Sequence, residues 1–178
     1  MTRINIRHMI LAAFFASLTA VLAYISIPLP FSPVPVTGQT AGVMLAGYLL
    51  TGGQALLSQI IYILMGVIGI PVFSGARAGI GILAGPSGGF IWGFLPAAYF
   101  LGRKLRGNQS KYKKFFVLLV GGILLIYFFG AVQMMIVLDL GLGEVLVSGL
   151  LPYIPGDIFK IIFVLMVGSK IERHRILT

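Results

Sequence analysis

Pro152-Tyr-Ile-Pro-Gly-Asp-Ile-Phe-Lys160 runs without a break into Ile161-Ile-Phe-Val-Leu-Met-Val-Gly168, so one acid and one base stand alone in an otherwise apolar stretch. In a helix a spacing of three puts Asp157 and Lys160 on one face. If that helix lies in a bilayer, the two charges mark a functional site and each names the other as its partner. The surrounding chain is read as the housing for this pair.

That housing is a membrane protein. Apolar residues make up 58% of the chain and charged residues 10%, with a mean hydropathy of +1.05, whereas roughly 25% of a soluble domain is charged. The 178 residues leave room for about five to seven spanning helices with short loops and no separate soluble domain. A net charge of +9 would point to nucleic acid in a soluble chain; here the excess of basic residues in cytoplasmic loops explains it. With no cysteine, disulfides and thiol chemistry are excluded, and His8 and His174, both in terminal basic segments, make no metal site. No cofactor is expected.

The expected fold is all-α, a compact bundle of six transmembrane helices forming one domain over residues 1–178, with spans near 9–27, 38–50, 54–70, 88–102, 115–138 and 152–169. The run from Met9 to Ile27 is too long for the core of a signal peptide, about 7–15 residues, and lacks a small-residue cleavage site. Ala12, Ala16 and Ala20 line one face of this first helix and admit a close neighbour, either inside the bundle or on another membrane subunit. Pro28, Pro30, Pro33 and Pro35 then force an extended loop. Thr37 is a candidate cap for the second span, and Thr51-Gly-Gly53 a tight turn before the third.

The passage from Gly69 to Gly89 is apolar but too rich in Gly and Pro for a continuous helix. Non-helical backbone at membrane depth survives only where it is buried in protein or lines a cavity, so it is predicted to fold over the mouth of a pocket. Gly89, Gly93 and Ala97 allow close packing of the fourth span. The segment Arg103 to Lys114 holds six of the thirteen basic residues, and Asp139 to Leu151 is expected to be a loop. With both termini cytoplasmic, Arg3, Arg7, the Arg103–Lys114 segment, Lys170, Arg173 and Arg175 all lie inside, in keeping with the positive-inside rule. The Pro-rich and Gly-rich loops then lie outside, where the pocket opens.

Lys160 stands about eight residues from the inner end of its span, roughly 12 Å up. A charge at that depth costs about 2.5–3.5 kcal/mol or more. Pairing offsets part of this, so one reading is a self-neutralised structural pair. In the other, Lys160 meets an anionic group of a ligand and Asp157 accepts from ligand N–H groups. Too few titratable groups cross the membrane for an ion-coupled carrier, and no Gly-rich stretch matches a phosphate-binding loop. The chain is thus expected to bind a solute without powering its transport. An intramembrane enzyme using Asp157 as acid or base is a remote alternative, since catalysis normally needs more than one positioned group.

The runs Pro33-Val-Pro-Val-Thr-Gly-Gln-Thr-Ala-Gly42, Gly69-Ile-Pro-Val-Phe-Ser-Gly75, Gly85-Pro-Ser-Gly-Gly89 and Pro155-Gly-Asp-Ile-Phe-Lys160, in this order, resemble the signature segments of the BioY family. These are the biotin-specific substrate-binding (S) components of energy-coupling-factor (ECF) transporters. Family sequences commonly carry Thr where Ser87 stands, and the hydroxyl is retained. The resemblance implies a six-helix protein of the bacterial plasma membrane that captures biotin at its outer half and topples to carry it inward. It also implies a complex with a transmembrane coupling protein and two cytoplasmic ATPases, the coupling protein docking on the ridge Ala12, Ala16, Ala20.

Biotin fits the polar residues. Its carboxylate suits Lys160 and its ureido N–H groups suit Asp157 or Gln39, an assignment that the sequence also allows in reverse. Trp92, Tyr153, Phe73 and Ser87 are candidate wall or rim residues, each with an ordinary packing or interfacial role as the alternative; Arg77 is a further loop cation. Another small carboxylate vitamin is the competing ligand.

Overall fold

The computed structural model describes residues 6–107 and 109–173. Arg3, His174, Arg175 and the side chain of Arg173, used above for topology or metal content, lie outside the described residues. The chain is mostly helical: α1 (Ile6–Ala23), a strand pair β1 (Ser26–Ile27) and β2 (Val36–Thr37), α2 (Gln39–Leu49), α3 (Gly52–Val67), α4 (Ile80–Ala84), α5 (Gly88–Lys104), α6 (Lys111–Leu118), α7 (Leu125–Leu138), α8 (Leu142–Val145) and α9 (Ile154–Arg173). A π-helical turn, Leu119–Leu124, fuses α6 and α7. A second, Leu146–Leu150, and a 3-10 turn, Leu151–Tyr153, fuse α8 and α9. The resulting rods, Lys111–Leu138 and Leu142–Glu172, are with α1 the described helices long and apolar enough to cross a membrane. α5 lies at the centre against α2, α3 and α7, while α1 covers α2 and α3, and α9 covers α2.

Several boundaries differ from the sequence expectation. The first helix stops at Ala23, because the prolines that follow keep the chain extended and Ser26 and Ile27 pair antiparallel with Thr37 and Val36. Thr37 is not a cap: Gly38 holds that position without a side-chain bond, and the Thr37 hydroxyl donates to Gln39 Oε1 at 3.0 Å. Nor do Gly52 and Gly53 form a turn. Thr51 Oγ1 accepts from the Gln54 N–H at 3.3 Å and Gln54 Oε1 from the Thr51 N–H at 2.9 Å, a reciprocal cap that makes both glycines the first turn of α3. Within the Gly-rich passage the chain forms the short α4.

The predicted loop Asp139–Leu151 is helical from Leu142 onward. Asp139, at φ 53°, ends α7 in a left-handed residue, and Glu144 accepts from the Gly141 N–H at 2.9 Å to start the next rod. Pro152 and Pro155 sit in and just after the 3-10 turn, at the start of α9. Missing N–H groups are tolerated in a first helical turn, so these prolines do not break the rod.

The small-residue ridge of α1 faces inward. Ala12, Ala16 and Ala20 are all buried, and α1 meets α2 so closely that a Cβ on Gly42 would fall 2.8 Å from Thr19 Oγ1. Expected as a partner-docking surface, the ridge is internal packing; the exposed side of α1 carries Ala13, Phe14, Ser17 and Val21.

Candidate functional site

α2 has eleven residues, a rise of about 16 Å, roughly half the ~30 Å of a bilayer core. Above its first turn the β1–β2 hairpin and the Gly-rich passage converge, and a cavity lies between them. Its empty space is about 580 Å³ counted to the open mouth; the cavity is a slot.

α9 brings Asp157 and Lys160 to this slot, α2 brings Gln39 and Thr40, and α7 brings Tyr127. Lys160 Nζ lies 2.7 Å from Asp157 Oδ1 and donates to Thr40 Oγ1 at 3.1 Å. The Thr40 hydroxyl lies 3.4 Å from the same carboxylate oxygen, and the Tyr127 hydroxyl donates to Asp157 Oδ2. Asp157 is 3% exposed. Burying two charges costs several kcal/mol per ion unless the remaining donors and lone pairs are also served. A carboxylate offers about four lone-pair sites and an ammonium three donors. The cluster uses three of the former and two of the latter, leaving one acceptor, on Asp157 Oδ2, and one donor of the Lys160 ammonium unspent among the described residues.

Gln39 also lines the slot and is held from behind. Its Nε2 donates to Tyr62 OH, which donates to the Val72 carbonyl at 3.0 Å, so this chain ties α2 to α3 and to the Gly-rich passage. Tyr153 presents its ring to the cavity while its hydroxyl donates to the Val34 carbonyl at 2.6 Å in the Pro-rich hairpin. Phe90, Tyr127 and Tyr153 form a triangle of edge-to-face rings with centroids 6.4–6.5 Å apart. Phe90 is seated on Gly130, where a Cβ would lie 2.5 Å from its ring. Ser87 opens α5 without capping it and lines the slot. Arg77 is exposed at the rim; its Nε donates to the Ser74 carbonyl at 2.9 Å, and no carboxylate pairs with it among the described residues.

Five of the sequence candidates therefore meet at one cavity: Gln39, Ser87, Tyr153, Asp157 and Lys160. Two do not. Phe73 is fully buried edge-on to Tyr62, 5.8 Å between centroids, and Trp92 is exposed on the outer face of α5. Thr40, Tyr127 and Phe90 were missed. Tyr127 had a signal, as one of two polar side chains in the apolar run Leu125–Leu138, where a polar group is expensive unless it has a role.

A second charged cluster joins the same rods about 20 Å away along the helices. Lys114 Nζ lies 2.6 Å from Glu172 Oε2 and donates to Tyr48 OH at 2.9 Å, and the Tyr48 hydroxyl lies 3.3 Å from Glu172 Oε2.

Comparisons with known proteins agree on one group. Residues 1–176 match the model of the BioY family. The biotin transporter BioY of Rhizobium etli is 34% identical over 174 residues, covering 93% of this chain and 92% of the relative. That of Rhodobacter capsulatus is 33% identical over 181 residues, 95% of each chain. Among solved structures, the S-component for biotin from an ECF-type ABC transporter superposes with a TM-score of 0.88 at 27% identity, covering 94% of this chain and 92% of that one.

Proposed function

Because the chain belongs to the BioY family, we propose that it is the biotin-binding subunit of an uptake transporter, capturing the vitamin in the slot beneath its two loops. The observation that carries this reading is the unspent donor and acceptor of the buried Asp157–Lys160–Thr40–Tyr127 cluster. A cyclic urea presents an N–H beside a C=O, the complement of that pair. Asp157 takes the ureido N–H, Lys160 donates to the ureido oxygen, and the aromatic triangle flanks the fused rings. An already neutralised lysine is a poor seat for a second anion, so the carboxylate is assigned to Arg77 at the rim. This assignment moves the carboxylate from Lys160, where the sequence reading placed it, to Arg77, and it leaves the buried Asp157–Lys160 pair intact.

The chain supplies binding and no chemistry of its own; it is not an enzyme. Six membrane-crossing segments are assigned to α1, α2, α3, α5 and the rods Lys111–Leu138 and Leu142–Glu172, with both termini on the cytoplasmic side of a bacterial plasma membrane. The positions of Arg7, the Arg103–Lys114 segment and Lys170 support that orientation. A transmembrane coupling protein and two cytoplasmic ATPases power transport, the coupling protein meeting α1 on its exposed side.

Isothermal titration of the purified protein in detergent tests the reading, with sub-micromolar biotin affinity expected; neither binding nor co-purified biotin by mass spectrometry would overturn it. Another small carboxylate vitamin as the true ligand would show itself by outcompeting biotin. For the orientation, Arg77→Ala weakens biotin about tenfold, the worth of one charge-assisted bond, and leaves biotin amide unaffected. An equal loss for both ligands places the carboxylate elsewhere.

A further inference from the structure

We propose that Gln133, which the cavity does not include, is a positioning residue that sets how long the ligand stays bound; this rests on the slot being the ligand site. Gln133 stands in the apolar helix α7 and its Nε2 donates to the carbonyls of Leu83 at 2.8 Å and Gly85 at 2.7 Å. Those carbonyls close α4. The Gly85 N–H serves the carbonyls of Gly81 and Ile82, so Gln133 takes up the Leu83 carbonyl that the five-residue helix cannot serve itself, one of the orphan acceptors every helix end leaves.

In an apolar surrounding such a group costs several kcal/mol unpaired. The junction is tight. A Cβ on Gly88 would fall 1.9 Å from the Leu83 oxygen and 2.6 Å from Gln133 Nε2, so α4 folds directly onto the first turn of α5 and onto Gln133 together. The segment so fixed carries Ile82 and Ser87, both in the cavity wall, while the outward side of α4 is open, with Ile80 71% exposed. Gln133 thus holds one wall of the slot in place from outside it. Without its two donors the end of α4 keeps only the Gly88 N–H bond to the Gly85 carbonyl, at 3.0 Å, the Leu83 carbonyl is left unpaired, and α4 loosens against α5 so that the slot opens.

The test uses the full chain. Gln133→Met keeps length and removes both donors; Gln133→Leu is the second variant should the first fail to fold. Biotin dissociation is expected to speed up about tenfold, the worth of one or two ordinary hydrogen bonds, with association changed less than about threefold. The sequence has no cysteine, so single spin labels are clean. A label at Ile80→Cys on α4 becomes more mobile in the variant, while one at Ile136→Cys on α7 does not change. Unchanged mobility at Ile80, or a loosened α4 with dissociation within twofold of wild type, overturns the proposal. If wild-type protein binds no biotin, the functional reading falls, and the Ile80 label alone decides whether Gln133 clamps α4.

Discussion

At the loop end of the bundle Asp157 and Lys160 of α9 join Thr40 of α2 and Tyr127 of α7; at the basic end Glu172 of α9 joins Tyr48 of α2 and Lys114 of α6. Both are lysine–carboxylate pairs backed by a tyrosine, and both staple α2 to the same two rods. They differ in what their unspent valences face. The Glu172 side chain is 45% exposed, so water takes its spare lone pairs. The Asp157 and Lys160 side chains are 4% and 14% exposed and line a walled slot. A buried ion pair on its own is weak evidence for anything. It becomes a binding site when its leftover donor and acceptor have no other partner.

Asp157→Asn should separate the two ends most. It removes the acceptor assigned to the ligand and leaves Lys160 buried without a counter-charge, so biotin affinity is expected to fall roughly a hundredfold, as one charge-assisted hydrogen bond is worth about 1.5–3 kcal/mol. Titration calorimetry measures it. Affinity held within threefold would make this cluster a staple like the other. Lys160→Ala comes next, at about ten- to thirtyfold. Its fold should survive, because Tyr127 and Thr40 still reach the carboxylate, and a cooperative thermal transition alongside weakened binding would show both parts.

These residues also mark how far the sequence could be read. The loop-end pair was legible because two charges three apart in an apolar run have no solvent-facing alternative. Lys114 was hidden in plain view: in a run of six basic residues it reads as a topology marker, and only the fold turns it inward to Glu172, 58 residues away. Thr40 and Asp157 lie 117 residues apart, and nothing local announces such a contact. Aromatic type does not say which helix face a ring occupies, so Trp92 turned outward and Phe73 filled the space above Gly66, where a Cβ would lie 2.1 Å from its ring. The alanine ridge is equally silent, since close packing inside the bundle and docking of a partner ask for the same small residues. Glycines at 141, 143 and 149 diluted the helical signal before Pro152, and the rod was read ten residues short.

Tyr127→Phe sharpens the comparison from the side of the supporting hydroxyl. The ring, and with it the aromatic triangle, is kept; the bond to Asp157 Oδ2 is lost. Biotin affinity is expected to drop about three- to tenfold, less than for either charged residue, because the freed lone pair remains beside the ligand. Tyr48→Phe, the matching change at the basic end, should leave affinity unchanged; equal losses in the two variants would erase the distinction between the clusters.

Glu172→Gln is expected to do least. Its carboxylate is half in water and stands about 22 Å along α9 from the slot, so biotin affinity should stay within twofold of wild type. The thermal transition should nevertheless shift down measurably, because the buried Lys114 loses its counter-charge and keeps only its bond to Tyr48 and the face of that ring, 4.9 Å away. A tenfold loss of affinity would carry a different meaning. Asp157 and Glu172 are fifteen residues apart on one helix, about 22 Å, with no shared side chain between them. Such an effect would have to travel as an axial shift of α9 against α2, and the basic-end staple would then fix the height at which the ligand cluster is presented.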